Sequence, residues 1–357
     1  MATSGTVGAT TITVATLLDH AARRVGISTG DLTAEMADIA KNALYFYLTN
    51  LGNHGVNLWT VERRALGVVV GQRTLNLPTG TIDILNANWR TLSRVTGGSA
   101  ATSAGGTADN AFDADVDTYC QQTVADGNIS YAFASATTIT TVGVMTYGAL
   151  SLTPTFEWSS DGTTWATLYT PTPDQGATTI TFTDKVFQWW DIPTPQSAAY
   201  LRLRETGGAT LAVRELYFGN TPNEITMARL NRDDYSNLPN KSAAGTPLQF
   251  YVDRGLSYPT MNLWQVPNNW FGSVVVYRHR HIEDVTALIE TVEVPQRWHN
   301  ALVCAMACGL AIEVPGTPTE KIAYLDQMSQ RATYEAEQEE RDPSPIYYTA
   351  GIAVYTR

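Results

Sequence analysis

From Thr13 onward, Val14, Leu17, Leu18, Ala21, Ala22 and Val25 recur at helical spacing, and Gly26 follows as a stop. A second run with the same period holds Leu32, Met36, Ile39, Ala43, Leu44, Tyr47, Leu48 and Leu51, with Thr33 as a candidate N-cap and Gly52 as a terminator. Two predicted helices joined by so short a loop read as a hairpin. Between Trp59 and Leu92 the pattern becomes alternating and β-branched, punctuated by Gly71, Pro78 and Gly80, which predicts strands and turns. Strand-like runs return at Leu248 to Val252, Met261 to Val266 and Ser273 to His281. From Pro295 the period is helical again, with Trp298, Leu302, Ala305, Met306 and Gly309 to Ile312 on one face. A last helix is predicted over Thr319 to Glu340, ended by Pro343 and Pro345.

The stretch between these blocks has a different texture. Gly97 to Gly106 is almost entirely Gly, Ser, Ala and Thr, and residues 93 to 220 are short strand-like runs separated by turn residues, as in a β-sandwich. This segment holds 5 Lys and Arg against 12 Asp and Glu, while the rest of the chain holds 18 against 22, so most of the net charge of −11 resides here. An acidic chain without a Lys/Arg run argues against gripping a phosphate backbone; nearby DNA would be conducted, not held. Three cysteines make no disulfide framework and fit a reducing compartment. Neither a bilayer-length apolar stretch nor a basic-then-apolar N-terminus is present, so the expectation is a soluble, unprocessed, non-secreted chain with no membrane partner.

The segment GQRTLNLPTGTIDILNANWR, Gly71 to Arg90, resembles the strand-turn region of the head-to-tail adaptors of short-tailed bacteriophages, the tail-tubular and packaged-DNA stabilisation family. The resemblance resumes at Met227 to Asn269, continues at VEVPQRWHNALVCAMACGLAIEV (Val292 to Val314), and ends on ERDPSP closing the last helix. It spans the first 92 and last 137 residues, with the segments in the same order. The resemblance implies an α+β fold: a discontinuous adaptor domain, residues 1–92 plus 221–357, made of a helical bundle and a small β region and interrupted by an inserted all-β jelly roll at 93–220. It also implies a structural, non-enzymatic role in the virion at the head-tail junction, with assembly in the host cytoplasm. The implied partners are a homo-oligomeric ring of twelve copies, the portal protein, the tail nozzle protein and passing genomic DNA. The apolar aromatic tail, with Ile346, Tyr347, Tyr348, Ile352, Val354 and Tyr355, is expected to dock on the portal.

The insert resembles discoidin or coagulation-factor type C domains. Asn110 to Thr118 (NAFDADVDT) is similar to their N-terminal turn, FEWSSDGTTWATL to their central hairpin and YLRLRETGGATLAVRELYFG to their closing strands; Cys120 stands where that family carries Trp. This resemblance implies a structural calcium held by Asn110 through its carbonyl and by Asp113, Asp115, Thr118 and Glu215, hard oxygen donors of the kind calcium takes. The same residues also read as a hydrogen-bonded turn in which Asp113 and Asp115 cap backbone amides. Relatives bind sugars through variable loop tips, which makes surface glycans, or tail fibres, alternative partners of the insert.

Other motifs point to packing. Cys304 and Cys308 share a helix face, but Ala, Val, Met and Leu surround them, which reads as core. His279 and His281 fall on one face of a predicted strand and read as a partly exposed pair more than as metal ligands. The sequence contains no phosphate loop, zinc-protease helix or serine elbow, and Asp233 with Asp234 and Glu339 with Glu340 sit at solvent-type positions, so the expectation is no enzyme.

Overall fold

A computed structural model describes residues 11–53, 58–173, 177–220, 222–255 and 259–339. The chain divides into two compact units, Met1–Val61 with His279–Arg357, and Glu62–Arg278. The predicted portal-docking residues Ile346, Tyr347, Tyr348, Ile352, Val354 and Tyr355 lie outside the described residues.

Among the described residues five helices form: α1 Val14–Val25, α2 Ala34–Asn53, α3 Arg232–Ser236, α4 His299–Glu313 and α5 Thr319–Glu339. The first starts where the Thr13 hydroxyl accepts the Thr16 amide and stops at Gly26, whose φ of 96° suits a residue without Cβ. Thr33 caps α2 by accepting the Met36 amide at 3.2 Å, and α2 runs one residue past the expected terminator Gly52. The expected α1–α2 hairpin is replaced by a different packing scheme: α1, α2 and α5 each lie mainly against α4. The reason is composition. Helix α4 (HNALVCAMACGLAIE) is apolar on almost every side, so it is stable only when surrounded, and its buried Leu302, Met306, Ala307 and Leu310 meet Leu17, Leu18, Leu44, Leu48 and Leu325. Cys304 is buried in this core and Cys308 packs at its edge, both thiols pushed up by burial, in line with the packing reading. Of the described helices, none is long and apolar enough to cross a membrane.

The second unit is almost all β. One eight-stranded sheet runs in the spatial order Asn223–Thr226, Thr81–Thr91, Ser273–Arg280, Val61–Gly67, Phe187–Asp191, Thr141–Thr146, Thr210–Gly219, Cys120–Ala125. A five-stranded antiparallel sheet, in the order Ala166–Tyr169, Pro154–Ser159, Ser197–Glu205, Asn128–Thr138, Ser99–Thr102, belongs wholly to the expected insert. These strands and the insert half of the larger sheet enclose a shared core of Ile129, Val144, Phe156, Phe182, Leu201, Leu203, Leu216 and Phe218. Cys120, fully buried, sits inside it. The strands flanking the insert build a separate core with Ile84, Trp89, Phe250, Met261, Leu263, Val274 and Val276, over which Gln249–Asp253 and Thr260–Trp264 pair antiparallel.

The compact units therefore do not coincide with the expected division at 92/93 and 220/221, although the sandwich between those points has its own core. The cause is sheet continuity. Leu66 pairs with Gln188, joining the flanking strands to the insert, and the approach is so close that a Cβ on Gly67 would lie 2.1 Å from the Phe187 carbonyl oxygen. Val116, Met145, Phe187, Trp189 and Tyr217 of the insert pack with Ala65, Leu92, Trp270 and Phe271 of the flanks. The chain enters and leaves the sandwich at adjacent points, because Arg94 bridges Gly219 and the Asn220 amide reaches the Ser93 carbonyl at 3.4 Å.

Candidate functional site

The loop of residues 108–118 opens with a single 3₁₀ turn and then folds on its own short polar side chains. Thr118 Oγ1 lies 2.8 Å from Asp113 Oδ2, 3.0 Å from the Asp115 carbonyl and 3.4 Å from the Asn110 carbonyl. One hydroxyl hydrogen can serve only one of these three acceptors at a time. Asp113 Oδ1 accepts the Asp115 amide at 2.9 Å. The Asp115 carboxylate instead accepts the Asp117 amide at 3.0 Å, so Asp115 offers the cluster its carbonyl and not its side chain.

Glu215 approaches from the strand Thr210–Gly219 and is fully buried. Its Oε2 accepts Arg94 Nη2 at 2.7 Å, and its Oε1 has no hydrogen-bond partner among the described residues. Burial pushes the carboxyl up to about 7; Arg94 opposes this, and the Asp113 carboxyl beside it adds to it. Thr118 thus gathers Asp113 and the carbonyls of Asn110 and Asp115, four residues within nine positions of sequence, and the sheet brings Glu215 beside Asp113. Two carboxylates, two carbonyls and a hydroxyl with too few protons among them, one buried oxygen lacking a partner, fit a hard cation. Among the described residues no three acidic, His or Cys side chains are grouped to hold a metal by side chains alone, so carbonyl oxygens would have to complete the shell. The turn reading is visible in the same loop, where Asp113 and Asp115 do cap backbone amides.

Beside this loop lies an aromatic stack that sequence patterning did not single out. Tyr119 and Tyr147 are parallel with ring centroids 3.9 Å apart, and the Arg214 guanidinium is 4.7 Å from the Tyr147 centroid. Arg214 is buried and fixed by Asp184 at 2.9 Å and the Val116 carbonyl at 2.9 Å, while Tyr147 remains exposed. The strand order alone brings Tyr147 and Arg214 together; nothing in their local sequence marks them. The two histidines do not form a pair, His279 being buried and His281 exposed beyond the strand end.

A second cluster ties insert to flanks. Arg90, 1% exposed, donates to both Asp191 oxygens at 2.6 and 3.0 Å and to Glu224 at 3.0 Å. Arg63 pairs with the same two carboxylates, and Thr141 donates to Asp191 at 3.1 Å. Burial opposes ionisation of Asp191, but the hydrogen bonds and charges of Arg90 and Arg63 outweigh it and hold the carboxyl below its ordinary range; Glu224 is lowered against burial by the Asn88 amide, which donates to it at 3.0 Å, and by the charges of Arg90 and Arg63. This is a structural joint with the charges already neutralised.

No family model matches the chain, and no curated protein does. Solved structures similar to part of it include carbohydrate-binding modules. Module 32-1 of a family 31 glycoside hydrolase from Clostridium perfringens is 16% identical, with 36% of this chain and 96% of that one covered at a TM-score of 0.31. Chitosan-binding module 1 of a chitosanase/glucanase from Paenibacillus sp. IK-5 is 22% identical over 35% and 97%, at 0.29. The family 32 module of C. perfringens NanJ, solved in complex with galactose, is 12% identical over 37% and 99%, at 0.29.

Proposed function

We propose that this chain is a structural head-to-tail adaptor of a short-tailed bacteriophage, a non-catalytic ring subunit between portal and tail nozzle that extends the DNA channel and carries a discoidin-like module as an insert. The observation that supports it is the adaptor-like sequence in four segments, in order, on both sides of the sandwich and not within it. A ring needs heterologous contacts between copies. The helices offer apolar surface for them in the exposed Tyr45 and Phe46 of α2 and Tyr324 and Tyr334 of α5. The flanks, with 18 Lys and Arg against 22 Asp and Glu, carry a slight negative balance that suits a channel wall along which DNA slides. The expected result on mixing purified chain with portal is a closed ring of twelve copies on the portal, visible by electron microscopy and by native mass; a chain that stays monomeric and off the portal overturns the reading.

A second reading, glycan binding by the insert during adsorption, is favoured by the stack of Arg214, Tyr147 and Tyr119, since the half-exposed Tyr119 ring, backed by a second ring and a buried cation, is a surface on which a sugar ring can lie. Binding of any oligosaccharide on a glycan array would support it, and an empty array would remove it.

The insert is also proposed to hold calcium on Asp113, Glu215 and the carbonyls of Asn110 and Asp115, with Thr118 beside them. Calcium would add positive charge on the Asp113 side of Glu215, whose other oxygen Arg94 already holds. Adding calcium should stabilise the protein by about 2.7 kcal/mol at a hundred times Kd, read as a rise in melting temperature, and a chelator should reverse the gain. Asp113→Ala should remove the calcium dependence. A melting curve indifferent to calcium in the parent protein leaves the hydrogen-bonded turn as the whole story.

A further inference from the structure

Where the strand Val61–Gly67 meets the strand Phe187–Asp191 with a single backbone pair, the surface opens into a cleft of about 820 Å³. That volume lies within the ~300–1,000 Å³ of small-ligand sites. The cleft is remote in sequence from the cation loop and the tyrosine stack: none of Asp113, Tyr119, Tyr147 or Glu215 lines it. Its walls come from both the insert and the flanking strands, so neither part contains it alone.

The lining selects the chemistry of the occupant by elimination. The ionised groups are Glu62, Arg63, Arg64 and Asp191, equal in number and already paired, Arg64 with Glu62 and Arg63 with Asp191. An anionic or cationic ligand would therefore have to break an existing pair to be recognised. A purely apolar ligand is disfavoured as well, because it would desolvate the Thr172 and Thr183 hydroxyls and the Gln72 and Gln188 amides, which donate once each to the Thr74 and Thr181 carbonyls and keep an acceptor oxygen and a further hydrogen for a ligand. Amides and hydroxyls both donate and accept, which matches a ligand whose own groups do both, a neutral polyhydroxylated molecule. Tyr169 supplies the flat face such a ligand needs. It follows a bulge in the strand Ala166–Tyr169, where the register with Pro154–Ser159 shifts between Thr167 and Tyr169, a device that re-aims a side chain. Its hydroxyl is held above the ordinary tyrosine range by burial, and the field of Arg64 reaches it.

The geometry points to this cleft as a binding site for a neutral oligosaccharide, with Tyr169 as the stacking face and Gln188, Gln72 and Thr172 as hydrogen-bonding partners. The inference shares with the glycan reading only the class of ligand; it rests on the lining of the cleft itself, at the seam and away from the tyrosine stack. The test uses the full chain: a glycan array of neutral and acidic oligosaccharides, then calorimetric titration with the strongest neutral hit. Tyr169→Ala should weaken binding at least tenfold, and Thr172→Trp, an exposed position whose indole would fill the cleft, should do the same with the melting temperature unchanged. Tyr147→Ala should leave affinity as it was. Binding lost on Tyr147→Ala but kept in Thr172→Trp overturns the cleft while leaving the glycan reading standing. An array hit confined to acidic sugars overturns the elimination argued above, and an array with no hit overturns both readings together.

Discussion

Replacing Arg90 by alanine should destabilise the β unit by about 3 kcal/mol. The guanidinium is buried, and its three hydrogen bonds join Asp191 on the insert to Glu224 on the returning flank. Its removal leaves two carboxylates sharing Arg63 as their remaining cation in this cluster, and uncompensated buried charge is what makes breaking such a pair costly. The value sits at the low end of the usual range because Asp191 and Glu224 are partly solvated. For a unit of this size the loss corresponds to a fall in Tm of roughly 6–12 °C. Acid provides a second readout. Both carboxyls have folded pKa values below their unfolded ones, so the joint stabilises fully above the ordinary carboxylate range and is lost as pH falls through the depressed folded values. The Tm difference between parent and Arg90→Ala should therefore be widest near neutrality and shrink in acid. A difference of under 1 kcal/mol at pH 7, or one that grows in acid, would mean that the joint is solvated and idle.

What could be read from the sequence was whatever is encoded within about twenty residues. Helix α1 and its two caps follow from periodicity plus Thr13 and Gly26, and the turn of the insert hairpin from Ser159 and Asp161, whose side chains accept the amides of Gly162, Thr163 and Thr164. Four of the five candidate cation residues are close in sequence; Glu215 entered only through resemblance, and its position in the fold depends on the strand Thr210–Gly219 lying beside Thr141–Thr146. What stayed illegible was partner choice over long separations. The Leu66–Gln188 pair, the Arg90–Asp191 contact and the cleft that holds Tyr169 each depend on strands more than a hundred residues apart, and alternation of apolar residues says that a strand has a buried face without saying which strand lies alongside. The α1–α2 hairpin misled for a related reason: a short loop limits where two helices can go, but the all-apolar α4 competes for the same faces and wins.

Excising the insert is the experiment on which that distinction turns. The sequence alone implies that replacing Gly97 to Phe218 by a short Gly/Ser linker costs little beyond loop closure, which changes slowly with length. The adjacency of Ser93 to Asn220 and of Arg94 to Gly219 means such a linker can span the gap. The seam adds a cost that no loop argument contains. Excision uncovers Leu92, Trp270 and Phe271, takes the Phe187 and Tyr217 rings from 5.8 and 5.7 Å of Phe271, and leaves Arg90 and Arg63 without Asp191. Full burial of one such side chain is worth about 1.5–3 kcal/mol, and these are partly buried, so the shortened protein should be less stable by about 3–6 kcal/mol with the joint included. That is a large share of a domain's ordinary 5–15 kcal/mol. The shortened chain should fold with a lower Tm and a tendency to associate through the uncovered aromatics, whereas residues 93–220 alone, which keep the whole of their own core, should melt cooperatively as a β domain. Calorimetry on the parent, the shortened chain and the isolated segment checks this. Equal melting of parent and shortened chain would show the seam to be idle, and an isolated segment that never folds would show that its core is completed by the flanks.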